Sequence, residues 1–515
     1  MGERTSDPIG QPAGDLIRPL DDHNRRHLAS VRPDGHVNPV PKDRYHLVVI
    51  GAGPGGLVTA IAAAGLGARV ALVERHLMGG DCLNVGCVPS KAVLRSARAW
   101  HEARHGARDF AAPSVNGGGD FAGAMRRMRR LRADLSPVDS VQRYTEKGVD
   151  VFLGEGRFAA PDTVEVGGAR LQFRRAVIAT GARAALPPVP GLAEAGPLTN
   201  ETIFWLEDLP RRLVILGAGP IGCEMAQAFA RFGSEVTLIN RGPQILPRED
   251  RDAARIVEQA LERDGVRLRP GSQLLSVERH GDGKTVHFEH QGTRHSVVAD
   301  QILVAAGRTP NVERLSLDRA GVQFSSGGVT VDDRLRTSNP RVYAIGDVAS
   351  RFQFTHVADA QARLVIANAL FFGRGRASRL VIPWCTYTSP EIAHVGMNAE
   401  DARKAGLEVD TLTVPLHDVD RAVLEGAAEG FVRVHLRKGT DRILGATLVA
   451  DHAGDMIGEL ALAITAGTGL GAIARTIHPY PTQAEVIRKA ADAYNRTRLT
   501  PFAKKVFAAF FRFLG

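Results

Sequence analysis

The sequence predicts an α/β fold with two Rossmann-like nucleotide-binding domains and a C-terminal α+β domain. Two glycine-rich turns, at residues 51–56 and 217–222, each lie between an apolar strand and a helix, which is the pattern of a βαβ nucleotide-binding unit. From about Trp384 the pattern changes to strands followed by helices, with no further turn of this kind. The chain has 515 residues, enough for about three domains.

Strand and helix patterns surround both glycine turns. The first turn follows a short apolar run, typical of a parallel strand buried on both faces, and precedes an alanine-rich helix. The second turn has the same surroundings. The predicted elements are strand His46–Ile50, helix 57–66, strand Arg69–Val73, strand Leu213–Leu216, helix 223–232 and strand Glu235–Ile239.

The residues of the first turn suit a dinucleotide. Gly51 permits the tight turn, Gly53 lets the backbone approach a pyrophosphate, and Gly56 allows the helix to pack closely on the strand. The helix N-terminus offers free N–H groups and the positive end of its dipole to phosphates. Glu74, at the end of the second strand, can accept hydrogen bonds from ribose hydroxyls.

The second turn repeats Gly217, Gly219 and Gly222, but the strand that follows ends in Asn240 and Arg241 instead of an acid. An acid there would repel a 2′-phosphate, whereas Arg241 can pair with one. This favours NADPH as the nucleotide, with NADH as the alternative. In the other interpretation, Arg241 is simply a solvated arginine in a loop.

Cys82 and Cys87 stand five positions apart, at the start of a helix predicted to continue to about Trp100. A helix N-terminus lowers a thiol pKa, and a second thiol nearby can form a reducible disulfide. The alternatives are half of a zinc site or two buried thiols. A zinc site needs further ligands at motif spacing, and Cys223 and Cys385 are more typical of small packed residues.

Together with three more motifs, these features resemble the class I pyridine nucleotide–disulfide oxidoreductases, which include glutathione reductase, dihydrolipoamide dehydrogenase and mercuric reductase. The resemblance extends from about Tyr45 to Asn495. The additional motifs are Ala179–Gly181, Ala306–Asn311 and Tyr343–Asp347.

The resemblance implies an FAD-dependent enzyme that oxidises NAD(P)H and works as a homodimer. It places Asp347 on the ribityl chain of FAD and a Lys91–Glu224 ion pair beside the flavin ring. Cys87 becomes the thiol that forms the charge-transfer complex with the flavin, and Cys82 the thiol that exchanges with substrate. The other cofactor-binding residues that it implies are Thr180, Gly181, Gly307 and Gly346.

The sequence departs from the glutathione reductase pattern near its C-terminus. There the family has an acid–base histidine five residues before the glutamate that holds it, but the residue five positions before Glu485 is Tyr480. A phenol has a pKa near 10, far above that of imidazole near 6.5, and is a poor proton acceptor at neutral pH. His478 is a less favoured substitute base.

A tyrosine at this place resembles the mercuric-reductase branch, and the resemblance associates it with metal handling. A soft metal ion needs thiolates more than an imidazole base. That branch usually ends in a vicinal cysteine pair and carries an N-terminal CxxC domain, and this sequence has neither. From the tyrosine, the electron acceptor is predicted to be a thiophilic metal ion or a small oxidant. The alternatives are a dihydrolipoamide dehydrogenase or glutathione-type disulfide reductase and, in another class, a membrane-associated redox sensor.

Composition bears on the partners and the cellular location of the protein. The net charge is +9, but the basic residues are scattered, which argues against a nucleic-acid partner. Four cysteines and the lack of a long apolar run predict a cytoplasmic protein. The last residues combine basic side chains with phenylalanines, so this tail is predicted either to touch a membrane surface peripherally or to pack on the partner subunit.

The predicted organisation has six parts, with the proline-rich run Leu186–Gly191 as the linker between the two nucleotide-binding domains. The parts are a flexible extension (1–44), the first part of the FAD-binding domain (45–190), the NAD(P)H-binding domain (191–308), the second part of the FAD-binding domain (309–383), the interface domain (384–495) and the basic-aromatic tail (496–515).

Overall fold

A computed structural model describes residues 13–115, 119–281 and 283–515. The helices are α1 (Ala13–Leu16), α2 (Asp22–Val31), α3 (Pro54–Gly65), α4 (Gly80–Asn84), α5 (Cys87–Phe110), α6 (Phe121–Leu135), α7 (Val141–Glu146), α8 (Pro220–Phe232), α9 (Arg251–Arg263), α10 (Thr355–Leu370), α11 (Ala399–Lys404), α12 (Asp420–Leu424), α13 (Ala453–Ala466), α14 (Leu470–Ile473), α15 (Glu485–Thr497) and α16 (Pro501–Leu514).

The strands are β1 (Tyr45–Ile50), β2 (Val70–Glu74), β3 (Val149–Leu153), β4 (Arg157–Ala160), β5 (Thr163–Val166), β6 (Ala169–Ile178), β7 (Ala182–Ala184), β8 (Arg212–Leu216), β9 (Glu235–Ile239), β10 (Arg267–Arg269), β11 (Ser272–His280), β12 (Gly283–His290), β13 (Thr293–Ala299), β14 (Gln301–Val304), β15 (Arg308–Pro310), β16 (Phe324–Ser325), β17 (Gly328–Val329), β18 (Val342–Ala344), β19 (Pro383–Thr386), β20 (Glu391–Gly396), β21 (Val409–Pro415), β22 (Phe431–Arg437) and β23 (Ile443–Ala450).

Contacts divide the chain into two compact units. The first draws on Met1–Glu102, Asn116–Arg241 and Ser272–Leu380, and it contains both glycine turns. The second draws on Ala103–Val115, Gly242–Gly271 and Val381–Gly515.

The first unit contains a parallel sheet in the order β3-β2-β1-β6-β18, and the first residues of β6 also pair with antiparallel β5, which pairs with β4. Neighbouring residues of β1 enter different cores, since Val49 packs in one cluster and Val48 in the other. Burial on both faces is what the apolar run of this strand predicts. Helix α3 follows β1 directly, so the first glycine turn lies at the carboxyl end of the parallel strands.

The second nucleotide-binding sheet, also in the first unit, places β9, β8 and β14 side by side and parallel, with α8 as the crossover between β8 and β9. An antiparallel sheet, β11-β12-β13, shares a core with it through Val277 and Val286. Both helices begin inside their glycine turns, at Pro54 and Pro220, three residues earlier than predicted. A proline suits the first helical position because its missing N–H would have no partner there.

The second unit is built on an antiparallel sheet in the order β19-β20-β23-β22-β21. Apolar residues of α13 and α15, such as Leu460 and Ile487, pack with the strands in one core. The change of pattern near Trp384 therefore marks an α+β domain, and the predicted fold class is confirmed.

The expectation of a flexible segment over residues 1–44 is wrong for the part that the structure describes, while residues 1–12 lie outside the described residues. Helix α2 starts after Asp21, whose side chain accepts a hydrogen bond from the Asn24 N–H at 2.9 Å. Leu28 and Val31 join the core of the first sheet. The segment looked disordered because most of its residues are polar, although the few apolar ones share one face of a helix.

Arg132 fixes α2 to the rest of the first unit and is fully buried. Its guanidinium donates to the carbonyl of Asn84 and to the side-chain oxygen of Asn24, both at 2.7 Å. His27 also reaches Asn84, with its Nε2 2.7 Å from the Asn84 Oδ1. Burial lowers the pKa of His27 to about 3, so this contact is made by a neutral imidazole.

We expect Arg132→Ala to lower the free energy of unfolding by about 2–4 kcal/mol, because two buried oxygens lose a charged donor. Arg130→Ala, on the same helix, is the control. Arg130 is half-exposed and pairs with Asp134, so its loss should cost at most about 1 kcal/mol. Urea unfolding of the FAD-loaded protein measures both. Equal losses for the two variants would show that α2 is not fixed through Arg132.

Candidate active site

The two cysteines of the motif lie on different helices. Cys82 is in the short helix α4, and Cys87 is the first residue of α5, which continues beyond the predicted end at Trp100 to Phe110. Gly86 separates the helices where space is limited, because a Cβ at this position would lie 2.8 Å from the Asp81 carbonyl oxygen. The tight loop between the helices brings the two sulfurs together.

The loop before α4 lies against the first glycine turn. Gly80 has a φ of +56°, and a Cβ there would lie 2.6 Å from the Cα of Gly53. The Gly79 N–H also donates to the Ala52 carbonyl at 2.9 Å. The predicted dinucleotide turn and the cysteine motif therefore form one continuous site.

Cys87 is set up as a thiolate. A hydrogen bond from Cys82 lowers the pKa of Cys87 to about 6, and the Thr355 hydroxyl, 3.4 Å from the Cys87 sulfur, and the Lys91 ammonium act in the same direction. The hydrogen bond between the two sulfurs raises the pKa of Cys82, and so does burial. The pair therefore consists of a thiol donor and a thiolate acceptor.

The Lys91–Glu224 ion pair expected from the resemblance is present. The Lys91 Nζ lies 3.0 Å from the Glu224 carboxylate, which is buried at the start of helix α8. The pair joins the cysteine helix α5 to the helix of the second glycine turn. A buried carboxylate without a cation would be costly, so this contact fixes the position of both helices.

Glu74 does more than the sequence predicted. Its carboxylate accepts hydrogen bonds from the backbone N–H groups of Ala52 and His76, both at 2.7 Å. Burial raises its pKa, and these two donors act against the shift. Glu74 therefore braces the glycine turn in addition to facing the adjoining cavity.

That cavity, in the first unit, has a volume of about 440 Å³. Gly51, Glu74, Gly156, Thr180 and Asn311 are among its lining residues. A Cβ on Gly51 would meet the Ala179 carbonyl oxygen at 2.4 Å, so only glycine fits at the start of the turn. A cavity between a glycine turn and a buried acid suits the adenosine part of a dinucleotide such as FAD.

Asp347 lies in a network of charges that the sequence did not reveal. Arg308 contacts Asp81 in the cysteine loop, and its Nε lies 3.4 Å from the Asp347 carboxylate. Burial raises the pKa of Asp347 to about 6, and the charge of Arg308 acts against this shift. Arg308 is part of the motif at 306–311, but no local signal identified its two distant partners.

Gly346, Gly307 and Gly181 all have positive φ, at +70°, +141° and +65°. The Gly346 N–H donates to the side-chain oxygen of Gln361 at 2.8 Å, which holds the turn before Asp347.

The second glycine turn repeats the first. A Cβ on Gly217 would lie 2.4 Å from the Ala305 carbonyl oxygen, and one on Gly222 would lie 2.0 Å from the Gly217 carbonyl oxygen. Gly219 faces open space, which leaves its backbone free for a ligand. Arg241 is exposed two residues beyond the end of β9.

Tyr480 is not held by Glu485. Its hydroxyl donates to Asp420 at 2.8 Å, and this hydrogen bond raises the pKa of the phenol, so still less phenolate is present at neutral pH to accept a proton. Glu485 is buried and pairs with Arg488 at 2.6 Å through one carboxylate oxygen. The other oxygen is also buried and, among the described residues, has no hydrogen-bond partner. Among the described residues, Tyr480 and Glu485 therefore have different hydrogen-bond partners.

His478 forms a pair with a different carboxylate, that of Glu459. Its Nε2 lies 3.0 Å from Glu459 of helix α13, and the imidazole is almost fully covered, with 7% of the side chain exposed. Sequence reasoning missed this pair because Glu459 is nineteen positions away.

The other two cysteines are packed within a helix and a strand. Cys223 is buried in α8, with its sulfur 3.5 Å from the Ala218 carbonyl oxygen. Cys385 lies in β19, with its sulfur 3.8 Å from a Glu391 oxygen. In the residues that the structure describes, no group of three or more His, Cys, Asp or Glu side chains is arranged to hold a metal ion.

Comparison with known proteins agrees with this geometry. Residues 45–362 match the family model described as pyridine nucleotide-disulphide oxidoreductase. The chain belongs to this family. Residues 382–491 match the dimerisation domain of the same family. Members of the family are enzymes that depend on FAD and use NAD(P)H, so the predicted enzyme class and cofactors are confirmed.

Similar curated proteins include mercuric reductases and dihydrolipoyl dehydrogenases. The mercuric reductase of Bacillus cereus is 36% identical over 467 residues, which cover 90% of this chain and 74% of the relative. The dihydrolipoyl dehydrogenase of Thermus scotoductus is 37% identical over 468 residues, covering 88% of this chain and 98% of the relative. Sequence identity therefore does not separate the two kinds of acceptor.

Solved structures show the same architecture. The Cu(II) complex of the HOCl-induced flavoprotein disulfide reductase RclA from Escherichia coli is 28% identical with a TM-score of 0.76, covering 86% of this chain and 98% of that one. LpdA from Mycobacterium tuberculosis is 27% identical with a TM-score of 0.80, and the match covers 88% of this chain and 99% of LpdA.

We expect the thiolate of Cys87 to appear with a midpoint near pH 6 and to be protonated below it. The measurement is the ultraviolet thiolate absorbance of the reduced protein, taken as the difference from Cys87→Ser. Cys82→Ala should raise the midpoint more than Lys91→Met does, because the hydrogen bond from Cys82 is the largest cause of the shift. A midpoint near the ordinary thiol value of about 8.5 would contradict the assignment.

Proposed function

We propose that this enzyme passes electrons from NAD(P)H, through FAD and the Cys82–Cys87 pair, to a thiophilic metal ion or a small oxidant. The observation that carries the proposal is Tyr480. A phenol bonded to Asp420, with its pKa raised, stands where the related disulfide reductases have their acid–base histidine.

The first sheet is the proposed FAD site. Bound FAD supplies two-electron transfer between the nicotinamide and the cysteine pair. The first glycine turn presents its backbone and the start of α3 to the pyrophosphate, and Asp347 is within the same unit to bind the ribityl chain. The proposed FAD-binding residues are Gly51, Gly53, Gly56, Glu74, Lys91, Thr180, Gly181, Gly307, Gly346 and Asp347.

The two cysteines have different roles in the proposed reaction. Cys87 holds negative charge beside Lys91, and Cys82 carries the proton of the pair. When Cys82 binds an acceptor metal ion, that proton leaves and its thiolate becomes the ligand. Closure of the S–S bond then releases two electrons, enough to reduce one Hg(II) to Hg(0) or two Cu(II) to two Cu(I). The mercuric reductase relatives and the copper complex of RclA support this acceptor class.

A homodimer is part of the proposal. The dimerisation domain leaves apolar side chains exposed, with 72% of Leu424, 68% of Leu462 and 95% of Ile477 accessible. The His478–Glu459 pair holds two of the elements that carry them side by side. An apolar surface of this kind on a family dimerisation domain fits a second copy of the chain, and it would carry the exposed Tyr480 to the partner's cysteines.

A second candidate, a disulfide reductase such as dihydrolipoyl dehydrogenase, is favoured by one observation. His478 and Glu459 form an imidazole–carboxylate pair of the kind that general acid–base catalysis uses. If His478 supplies the proton to a leaving thiolate, the tyrosine at position 480 does not prevent disulfide turnover.

We expect native lipoamide and glutathione disulfide reduction to be weak while Cu(II) or Hg(II) reduction is strong. Tyr480→His should raise disulfide reduction, on the order of tenfold or more, because acid–base assistance contributes roughly 10²–10⁴-fold. The unpartnered oxygen of Glu485 gives the new imidazole an acceptor. NADPH consumption with each acceptor measures the effect.

Tyr480→Phe is the control for the loss of the hydroxyl and should leave disulfide reduction low. His478→Gln separates the two candidate functions. Strong native disulfide reduction that His478→Gln abolishes would favour the second candidate over the metal-ion acceptor.

Arg241 and the turn formed by Gly217, Gly219 and Gly222 are the proposed NADPH site. Arg241→Ala should reduce the NADPH over NADH preference in kcat/KM by on the order of tenfold to a hundredfold, as expected for a charge-assisted contact of about 1.5–3 kcal/mol. Arg211→Ala is the matched control, because Arg211 is exposed just before β8 begins, at the other end of that strand from the turn. An unchanged preference in Arg241→Ala would contradict the assignment.

A further inference from the structure

The C-terminal helix α16 (Pro501–Leu514) has none of its residues buried. The helix is well capped, since the Thr500 hydroxyl accepts a hydrogen bond from the Ala503 N–H at 3.2 Å and Pro501 takes the first helical position. Large apolar side chains are exposed along it: Phe502, Val506, Phe507, Phe510, Phe511, Phe513 and Leu514.

The side chains of α16 are segregated by helical position. At about 100° per residue, the large apolar residues cover about half of the helix circumference. Lys504, Lys505 and Arg512 fall within about 100° of one another on the opposite side. Two more exposed cations, Arg496 and Arg498, precede the helix, and residues 493–515 contain no aspartate or glutamate.

This combination discriminates between two kinds of partner. A helix that packs on a protein usually presents charges of both signs around its apolar face, and lysine is depleted at the centres of protein interfaces. An apolar face rich in phenylalanine, opposite a purely cationic face, is the pattern of a helix lying in the interface of an anionic bilayer. None of the helices within the described residues is both long and apolar enough to cross a membrane, so such contact would be with one surface.

We infer that α16 docks the enzyme on an anionic lipid surface, with its phenylalanine face among the acyl chains and its three cations at the headgroups. The inference does not depend on the identity of the electron acceptor. The exposed arginines before the helix add to the attraction.

The test is cosedimentation of the full-length, FAD-loaded enzyme with phosphatidylcholine vesicles, with and without phosphatidylglycerol. Partition should be on the order of tenfold to a hundredfold stronger on the anionic vesicles and should fall as salt is added. The double variant Phe507→Ser/Phe510→Ser should lose at least tenfold of this binding. Ala508→Ser is the matched control on the cationic side and should bind as the native chain does.

The oligomeric mass of each variant is measured in parallel by analytical ultracentrifugation. An unchanged mass together with lost vesicle binding supports lipid docking. Absence of native vesicle binding overturns the inference, as does vesicle binding that survives the double phenylalanine substitution. A change of mass in the double variant would assign the apolar face to the partner subunit instead, and so would also overturn it. Flavin absorbance checks that each variant is folded.

Discussion

The contact between two backbones, at Gly53 and Gly80, fixes the cysteine motif against the first glycine turn. Position 80 has no room for a side chain, since even a methyl group there would lie 2.6 Å from the Gly53 Cα. The hydrogen bond from Gly79 to Ala52 runs alongside this contact, and Glu74 in turn accepts from Ala52. The carboxyl end of the first sheet therefore fixes the loop that leads to the cysteines.

Two cations in this region, Lys91 and Arg308, each lie close to two acidic groups. The thiolate of Cys87 faces the Lys91 ammonium, whose other partner is the buried Glu224. Arg308 stands between Asp81 and Asp347. Each anion thus has a nearby cation in surroundings where isolated charges are costly. Such paired charges can hold a thiolate in place without a large rearrangement when its proton is lost.

The parts of this site that the sequence predicted are those with local signals. A glycine turn between a strand and a helix, or two cysteines with fixed spacing, specifies its own backbone, so these features are recognisable without knowing their neighbours. The contacts between distant polar side chains have no such local signal. Arg308 with Asp81, and His478 with Glu459, join residues that the fold brings together from separate segments. Nothing in the residues next to either partner indicates the pairing.

The N-terminal segment shows a related limit. The match to the family model begins at residue 45, where the strand before the first glycine turn begins. The packed part of this chain begins earlier, since Asn24 bonds to Arg132 and His27 bonds to Asn84. The Asn84 side-chain amide in turn donates to the carbonyls of Met78 and Gly80. The packed structure of this protein therefore begins before the segment that matches the family model. A gene fusion or proteolytic cut at residue 45 would remove Asn24 and His27, and with them the contacts that hold Arg132 and Asn84 next to the cysteine motif.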